Sequence, residues 1–152
     1  MKKLIRSCII CLLSISCLLS TASAQTYSMN PQVQSTEIIW IDNESCIEVV
    51  TFVSTSPLLA SSKHAEKVYT LKASGATVVS YTLEGWFNYD GKTSKAIDVS
   101  SSFDIYQPGW DVSDHEESYS GNTVRGTAVF SGPSGDKTIR GSITCDKNGN
   151  IS

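Results

Sequence analysis

The sequence predicts an all-β fold, an antiparallel β-sandwich of immunoglobulin-like or related type with seven to eight strands. Through most of the chain apolar and polar residues alternate with a period of two, which is typical of strands with one buried face. Clusters of Gly, Pro, Ser, Asn and Asp separate these runs and predict turns. No segment with a helical period is long enough to compete, so short strands joined by turns are expected throughout.

Residues 1–24 have the features of a bacterial secretory signal peptide. Basic residues precede an apolar run from Ile9 to Leu19, and small residues precede a cleavage site after Ala24. The apolar run is shorter than the roughly 20 residues of a membrane-spanning helix, and no second such run follows. We therefore expect a secreted, extracellular protein with no integral membrane segment in its mature chain.

The mature chain has the length of one domain and an acidic charge. We expect residues 25–36 to form a flexible N-terminal segment and residues 37–152 a single β-sandwich domain. The leader carries 3 of the 12 basic residues and none of the 15 acidic ones, which leaves a formal net charge of −6. Because this charge repels phosphate backbones and anionic lipids, no nucleic-acid partner is expected.

The first half of the domain contains one clear hairpin. Residues 37–41 and 46–53 read as two strands around a turn of acidic and amide residues. Between Ser54 and Lys67 the alternation lapses, which predicts a linker or a mobile excursion. Strands restart at residues 68–71 and are followed by a Ser-Gly turn.

The central strands have the clearest alternation. In residues 79–89 the odd positions are apolar and the even positions polar, and Asp90-Gly91 then predicts a two-residue hairpin turn with positive φ at both residues. The next run is predicted to face inward through Ile97, Val99, Phe103 and Ile105. A continuous pair of strands is therefore expected here.

The last strands follow the same pattern. After a turn at residues 120–122, a strand is predicted with Val124, Ala128 and Phe130 inward. A Gly/Pro/Ser loop at residues 131–135 leads to a strand over residues 138–146, with Ile139, Gly141, Ile143 and Cys145 inward.

Two cysteines remain once the leader is removed. Cys46 and Cys145 are the pair available for a disulfide, which would persist in an oxidising extracellular environment. It would close a loop of about 100 residues, worth on the order of 4 to 5 kcal/mol in the chain-entropy treatment. Two buried thiols, or one reactive thiol, are the alternatives.

Three segments resemble a group of short secreted Gram-positive bacterial β-rich proteins of unknown function, a domain of unknown function. These are residues 87–94, residues 120–128 and the terminal residues 142–152. The hairpin at residues 37–52 is similar to the upstream hairpin of that group. The resemblance implies an exported β-rich fold and no known activity. Cys145 matches the group's terminal Thr-Cys, whereas Cys46 matches none of its positions.

No catalytic constellation is expected, and no metal site is assigned. Asp114, His115 and Glu116 are the metal candidates, but alternation would put Asp114 and Glu116 on one face of a strand and His115 on the other. No cofactor fingerprint is present, and no serine lies in a nucleophile elbow. A pair of carboxylates for glycoside cleavage stays open, since only the fold sets their separation.

Two aromatic residues are the candidate ligand-binding site. Trp86 and Tyr106 fall on the polar parity of their strands, which predicts two rings on the outer face of one ribbon. Such rings stack on sugars or anchor protein partners. Trp40 and Trp110 are interpreted as core or rim packing, and cross-strand pairing of Trp86 is the alternative to a binding role.

The sequence therefore favours a non-catalytic binding or interaction module at or outside the cell surface, with a glycan or a surface protein as partner. A small extracellular hydrolase acting through carboxylates is the first alternative. The second is an exported effector or inhibitor in which the loop of residues 131–136 inserts into a partner.

Overall fold

The computed structural model describes residues 31–55 and 61–152, which form eight strands in two antiparallel sheets. The first sheet, sheet A, contains five strands in chain order. They are β1 (Gln32–Trp40), β2 (Ser45–Thr55), β3 (Ser62–Ala73), β4 (Ala76–Tyr89) and β5 (Ser94–Ile105). The second, sheet B, contains β6 (Asp111–Ser120), β7 (Thr123–Ser131) and β8 (Lys137–Thr144). The prediction of an all-β fold is confirmed, and the arrangement is consistent with a β-sandwich.

The core lies between the two sheets, where β7 and β8 cover β3, β4 and β5. The predicted inward positions of β4 and of the last two strands are buried, except Tyr89 and Gly141, which are half-buried. The buried apolar residues belong to one cluster that includes Val79, Tyr81, Leu83, Phe87, Val124, Ala128, Phe130, Ile139, Ile143 and Cys145. Burial of this apolar surface is the main favourable contribution to folding.

Two tyrosines of sheet A pack against two glycines of sheet B. Gly126 and Gly141 lie directly opposite each other on β7 and β8. A Cβ atom on Gly141 would lie 2.6 Å from the Tyr69 hydroxyl oxygen, and one on Gly126 would overlap the Tyr81 hydroxyl. The sheets approach this closely only because both positions lack a side chain. Burial raises the pKa of Tyr69 to about 12.

The turns differ from the predictions at two places. Asp90 begins a longer turn, because its carboxylate accepts hydrogen bonds from the backbone N–H groups of Lys92 and Thr93 at 2.9 and 2.7 Å. The turn with positive φ at both central residues is instead Ser74-Gly75, with φ values of 49° and 78°. The prediction for Asp90-Gly91 is therefore wrong, and the tight hairpin joins β3 to β4.

The predicted lapse between Ser54 and Lys67 is also wrong for the described residues, since β2 continues to Thr55 and β3 begins at Ser62. The inward positions of β3 include Lys63 and Lys67, so its sequence does not alternate between apolar and polar residues. The Lys63 ammonium donates to the Gly149 carbonyl and lies 5.8 Å from the centre of the Tyr89 ring. Burial lowers the pKa of Lys67. Both aliphatic stems cover apolar surface while their ammonium groups reach polar partners or solvent. Residues 56–60 lie outside the described residues.

A β-bulge changes the face of one residue in β5. Trp86 pairs with Asp98 and Phe87 with Ala96, so Ile97 is the extra residue. Ile97 is 45% exposed, whereas Ala96 is buried in its place. The inward prediction is wrong for Ile97. The odd positions from Val99 onward lie opposite buried residues of β4, but Phe103 and Ile105 are themselves 40% and 39% exposed, so only Val99 of the predicted inward residues is partly buried against the core.

The N-terminal boundary also differs from the prediction. The first sheet begins at Gln32, so residues 32–36 belong to β1 and not to a flexible segment. The predicted signal peptide and residues 25–30 lie outside the described residues. In the part of the chain that the structure describes, no helix is long and apolar enough to cross a membrane.

Candidate functional site

The outer face of sheet A, which points away from sheet B, carries a group of polar side chains around Trp86. From Ser80 onward the even-numbered residues of β4 lie on this face, because the odd-numbered ones fill the core. Trp86 is directly opposite His64 on β3 and Asp98 on β5. We call Trp86, His64, Glu66, Glu84, Asp98 and Ser100 the outer-face cluster.

The indole of Trp86 is held against His64. Their ring centroids are 4.6 Å apart with an angle of 23° between the ring planes. His64 Nε2 lies 2.9 Å from Glu84 Oε2, and the two side chains are 17% and 28% exposed. The Ser100 hydroxyl is 3.4 Å from the other oxygen of Glu84. These contacts fix the indole, and no other ring of the described residues stacks on it.

Two carboxylates face each other in this cluster. Glu66 is directly opposite Glu84 in the β3–β4 register. Burial raises the pKa of Glu66, and the nearby charge of Glu84 raises it further. His64 lowers the pKa and partly offsets these two effects. Like charges directly opposite each other destabilise a sheet, so this pair works against folding at neutral pH.

We expect Glu66→Gln to stabilise the protein at pH 7 by on the order of 0.5 kcal/mol, the scale of one cross-strand charge pair. A raised pKa in the folded state means that the native state is favoured below the unfolded pKa and is penalised once the pH rises above the folded pKa. The advantage of the variant should therefore vanish near pH 3. Urea denaturation between pH 3 and pH 8 measures it.

Glu48→Gln is the matched control on the same face. Glu48 Oε2 lies 2.6 Å from Lys72 Nζ, so this substitution removes an attractive partner and should not stabilise the protein. An equal gain in both variants would show that any loss of acidic charge is favourable.

Tyr106 lies on the same face as Trp86 but far from it. The Tyr106 hydroxyl is 3.5 Å from the Ser80 hydroxyl, and Tyr106 is 55% exposed. Ser80 and Trp86 are six residues apart on β4, which corresponds to roughly 20 Å along a strand. The two predicted site residues therefore share a face, but they cannot contact the same small ligand.

The metal candidates are split between two faces. His115 is opposite the buried Ala128, and its ring makes an edge contact with Phe103 at 5.7 Å. Asp114 and Glu116 alternate with it on the strand and lie on the opposite face. Within residues 31–55 and 61–152, no group of three or more His, Cys, Asp or Glu side chains could hold a metal ion.

The two cysteines are not bonded to each other. Cys46 alternates with the buried Ser45 and Ile47, so it lies on the outer face of sheet A. Cys145 is fully buried in the core. The disulfide predicted from their number is therefore absent, because sheet A lies between the two sulfurs.

A cleft of about 680 Å³ lies at one end of the sandwich, among the loops. Its walls come from the loop before β2, the Ser74 turn, Trp110, the loop residues Pro133 and Ser134, and Lys137 at the start of β8. Trp110 is half-buried and lies across Gly132, so it forms a fixed wall. The loop of residues 131–136 lies at this same end of the sandwich.

Asp42 is the best-defined carboxylate of that cleft. Its Oδ1 accepts a hydrogen bond from the Glu44 backbone N–H at 2.9 Å, and its Oδ2 lies 3.8 Å from Lys137 Nζ. The hydrogen bond from Glu44 lowers the pKa of Asp42. The group therefore stays ionised at neutral pH and is unsuited to donate a proton as a general acid.

No protein-family model, curated protein or solved structure gives a significant match to this chain. Its function must therefore be argued from its own geometry. The resemblance to secreted β-rich proteins stays a prediction.

His64, which holds Trp86 in place, is the most important of the outer-face cluster residues that the sequence analysis missed. The Ser74-Gly75 turn could have been used to predict the pairing of β3 with β4. Counting back from a two-residue turn places residue 63 opposite Trp86. One β-bulge between Leu71 and Lys72 shifts the register by one and places His64 there instead.

Proposed function

We propose that this protein is a secreted, non-catalytic binding module that recognises a glycan at or outside the cell surface through its outer-face cluster. The observation that carries the proposal is the partly exposed Trp86 ring, immobilised on His64. An indole face held rigid beside hydrogen-bonding groups is suited to stack on the apolar face of a sugar ring.

The groups around the indole suit the hydroxyls of a neutral saccharide. Asp98, directly opposite Trp86 on β5, and Glu84, two residues before Trp86 on β4, supply acceptors, and Ser100 supplies a hydroxyl. The acidic charge of the mature chain makes a polyanionic glycan a poor fit. We therefore favour a neutral sugar as ligand, and a surface protein remains the other partner class.

The test is a glycan array followed by calorimetric titration of the best hit, using the chain from Gln25 onward. We expect Trp86→Ala to weaken binding at least tenfold, or about 1.4 kcal/mol, because it removes the stacking surface. Tyr119→Ala is the matched control, since Tyr119 is 48% exposed but lies on sheet B.

Equal binding by the wild type and Trp86→Ala would overturn the outer-face assignment. In that case the loop-end cleft beside Trp110 is the next site to mutate. Absence of any glycan ligand would contradict the proposed function itself.

The second candidate is a small hydrolase, and one observation favours it. Glu66 has a raised pKa and lies directly opposite a second carboxylate, Glu84, beside an aromatic ring. A pair of neighbouring carboxyl groups, one of them with a raised pKa, is the kind of arrangement that glycosidases use. Release of reducing sugar from a bound glycan, abolished by Glu66→Gln, would support this candidate over simple binding.

A further inference from the structure

The loop-end cleft beside Trp110 is a second concave surface, separate from the outer-face cluster. Its volume of about 680 Å³ is typical of a site for a small ligand or for one side chain of a partner. None of the described residues that line it belongs to the outer-face cluster. A ligand in this cleft would therefore be recognised independently of Trp86.

One wall of the cleft is a fixed aromatic surface. Trp110 packs against the core, and its ring lies across Gly132, where a Cβ atom would overlap the indole. Pro133 adds further apolar surface to the lining. Of the aromatic side chains, an indole attracts a cation most strongly, because its ring face carries partial negative charge.

Asp42 offers a hydrogen-bond acceptor in the same cleft. The hydrogen bond that Asp42 Oδ1 accepts from the Glu44 N–H lowers the pKa of this carboxyl and keeps it ionised at neutral pH. Its Oδ2 lies 3.8 Å from Lys137 Nζ, which is longer than an N–H···O hydrogen bond. The side chain of Asp42 is 48% exposed, so a ligand can reach it.

The charges of the cleft favour a cationic ligand. The charged side chains among its described lining residues are Asp42, Glu44 and Lys137, which give a formal charge of −1. No described residue forms an ion pair with Glu44. Lys137 is the internal competitor for Asp42, but its contact is long. A cation at hydrogen-bond distance from Asp42 would make a shorter and stronger charge-assisted contact.

We propose that the loop-end cleft binds a guanidinium group that pairs with Asp42 and packs on the Trp110 wall. A guanidinium is planar, so its face can stack on an aromatic ring while its N–H groups donate to a carboxylate in a fork. An ammonium is a strongly hydrated point charge without such a face. Small molecules and the arginine side chains of a protein partner carry the same group.

The test is an NMR titration of the chain from Gln25 onward, which follows the indole N–H signal of Trp110 as assigned with Trp110→Phe. The probe is N-acetyl-arginine methylamide. We expect it to shift this signal with a dissociation constant on the order of 1 mM. The matched probe is the citrulline analogue, which has the same shape without the charge, and it should bind about tenfold more weakly.

Methylguanidinium separates the two sources of the group. Equal affinity for methylguanidinium and the arginine probe would support a site that recognises the group alone, as on a small molecule. Tighter binding of the arginine probe would support an arginine of a protein partner, whose neighbouring peptide groups are also contacted.

Two variants should change the affinity for the arginine probe in opposite directions. Asp42→Asn keeps an acceptor for the Glu44 N–H but removes the charge, and it should raise the dissociation constant about fivefold. Lys137→Met keeps the aliphatic stem but removes the competing cation, and it should lower the constant about twofold. Glu116→Gln is the matched control, because it removes one negative charge from an exposed position of β6.

Equal binding of the arginine and citrulline probes would overturn the proposal, as would an unshifted Trp110 signal at about 20 mM probe, well above the expected constant. Weaker binding by Lys137→Met would contradict it too, since the lysine would then be attracting an anion. No sugar enters these measurements, so their failure leaves the proposed glycan site untouched.

Discussion

Gly126→Ala is expected to destabilise the protein by about 3 kcal/mol, the upper range for overpacking a core. The new methyl group would overlap the Tyr81 hydroxyl and lie 2.9 Å from Leu83 Cδ1. Neither neighbour can move freely, since both side chains are fully buried. Urea denaturation followed by tryptophan fluorescence measures the change.

A second substitution identifies the cause. The Tyr81 hydroxyl is buried and makes no hydrogen bond of normal geometry to a described residue, although Ser101 lies near it. Tyr81→Phe should therefore cost little alone, and in combination with Gly126→Ala it should recover a large part of the lost stability. Purely additive effects would contradict the proposed overlap. Thr127→Ala, on the next residue, should change stability by no more than about 1 kcal/mol.

Ile151→Ala is expected to cost about 3 kcal/mol, the range for an Ile truncated in a packed core. Ile151 is 7% exposed and pairs with Cys145, and the next residue, Ser152, exchanges two backbone hydrogen bonds with Thr144 at 2.9 and 3.0 Å. The truncation leaves a cavity beneath this pair. Thermal unfolding should show a fall in Tm of roughly 10 °C.

The comparison for this variant is Ile97→Ala, which removes the same atoms from an exposed bulge. Its cost should stay below about 0.5 kcal/mol, as for most surface substitutions. Similar losses in the two variants would mean that the C-terminal residues do not close the core. A loss larger than about 5 kcal/mol would mean that the turn beginning at Asp146 also detaches.

The alternation of side chains was enough to predict most of the core. Val79, Leu83 and Phe87 could be assigned to the interior because one face of β4 is fully covered by sheet B. The prediction failed where the inward positions are lysines, as at Lys67 in β3. A long aliphatic stem can fill such a position, and alternation of residue type does not reveal it.

Local hydrogen bonding explains the other differences. The Asp90 carboxylate binds two backbone N–H groups and lengthens its turn, so a dipeptide signal was misleading. The bulge in β5 turns Ile97 to the opposite face of the strand, and no pattern in the sequence predicts this bulge. The unbonded state of the cysteines could have been predicted, because alternation already places Cys46 and Ile47 on opposite faces of β2.

The candidate site could be predicted only in part. Parity placed Trp86 and Tyr106 on the outer face, but the distance between them follows from where β4 and β5 pair. The contact between Trp86 and His64 depends on a register that a single bulge alters. Such pairings are set by packing across the whole sheet, so the sequence of one strand does not determine them.

The order of strands along the chain also bears on how the molecule folds. Within each sheet, every strand pairs with the strand that precedes or follows it, so each pairing closes only a short loop. Low contact order of this kind is associated with rapid folding, in contrast to Greek-key sandwiches whose distant strands must meet first. Starting from the Ser74-Gly75 hairpin, sheet A can extend one neighbour at a time in both directions. We expect this chain to fold quickly for an all-β protein.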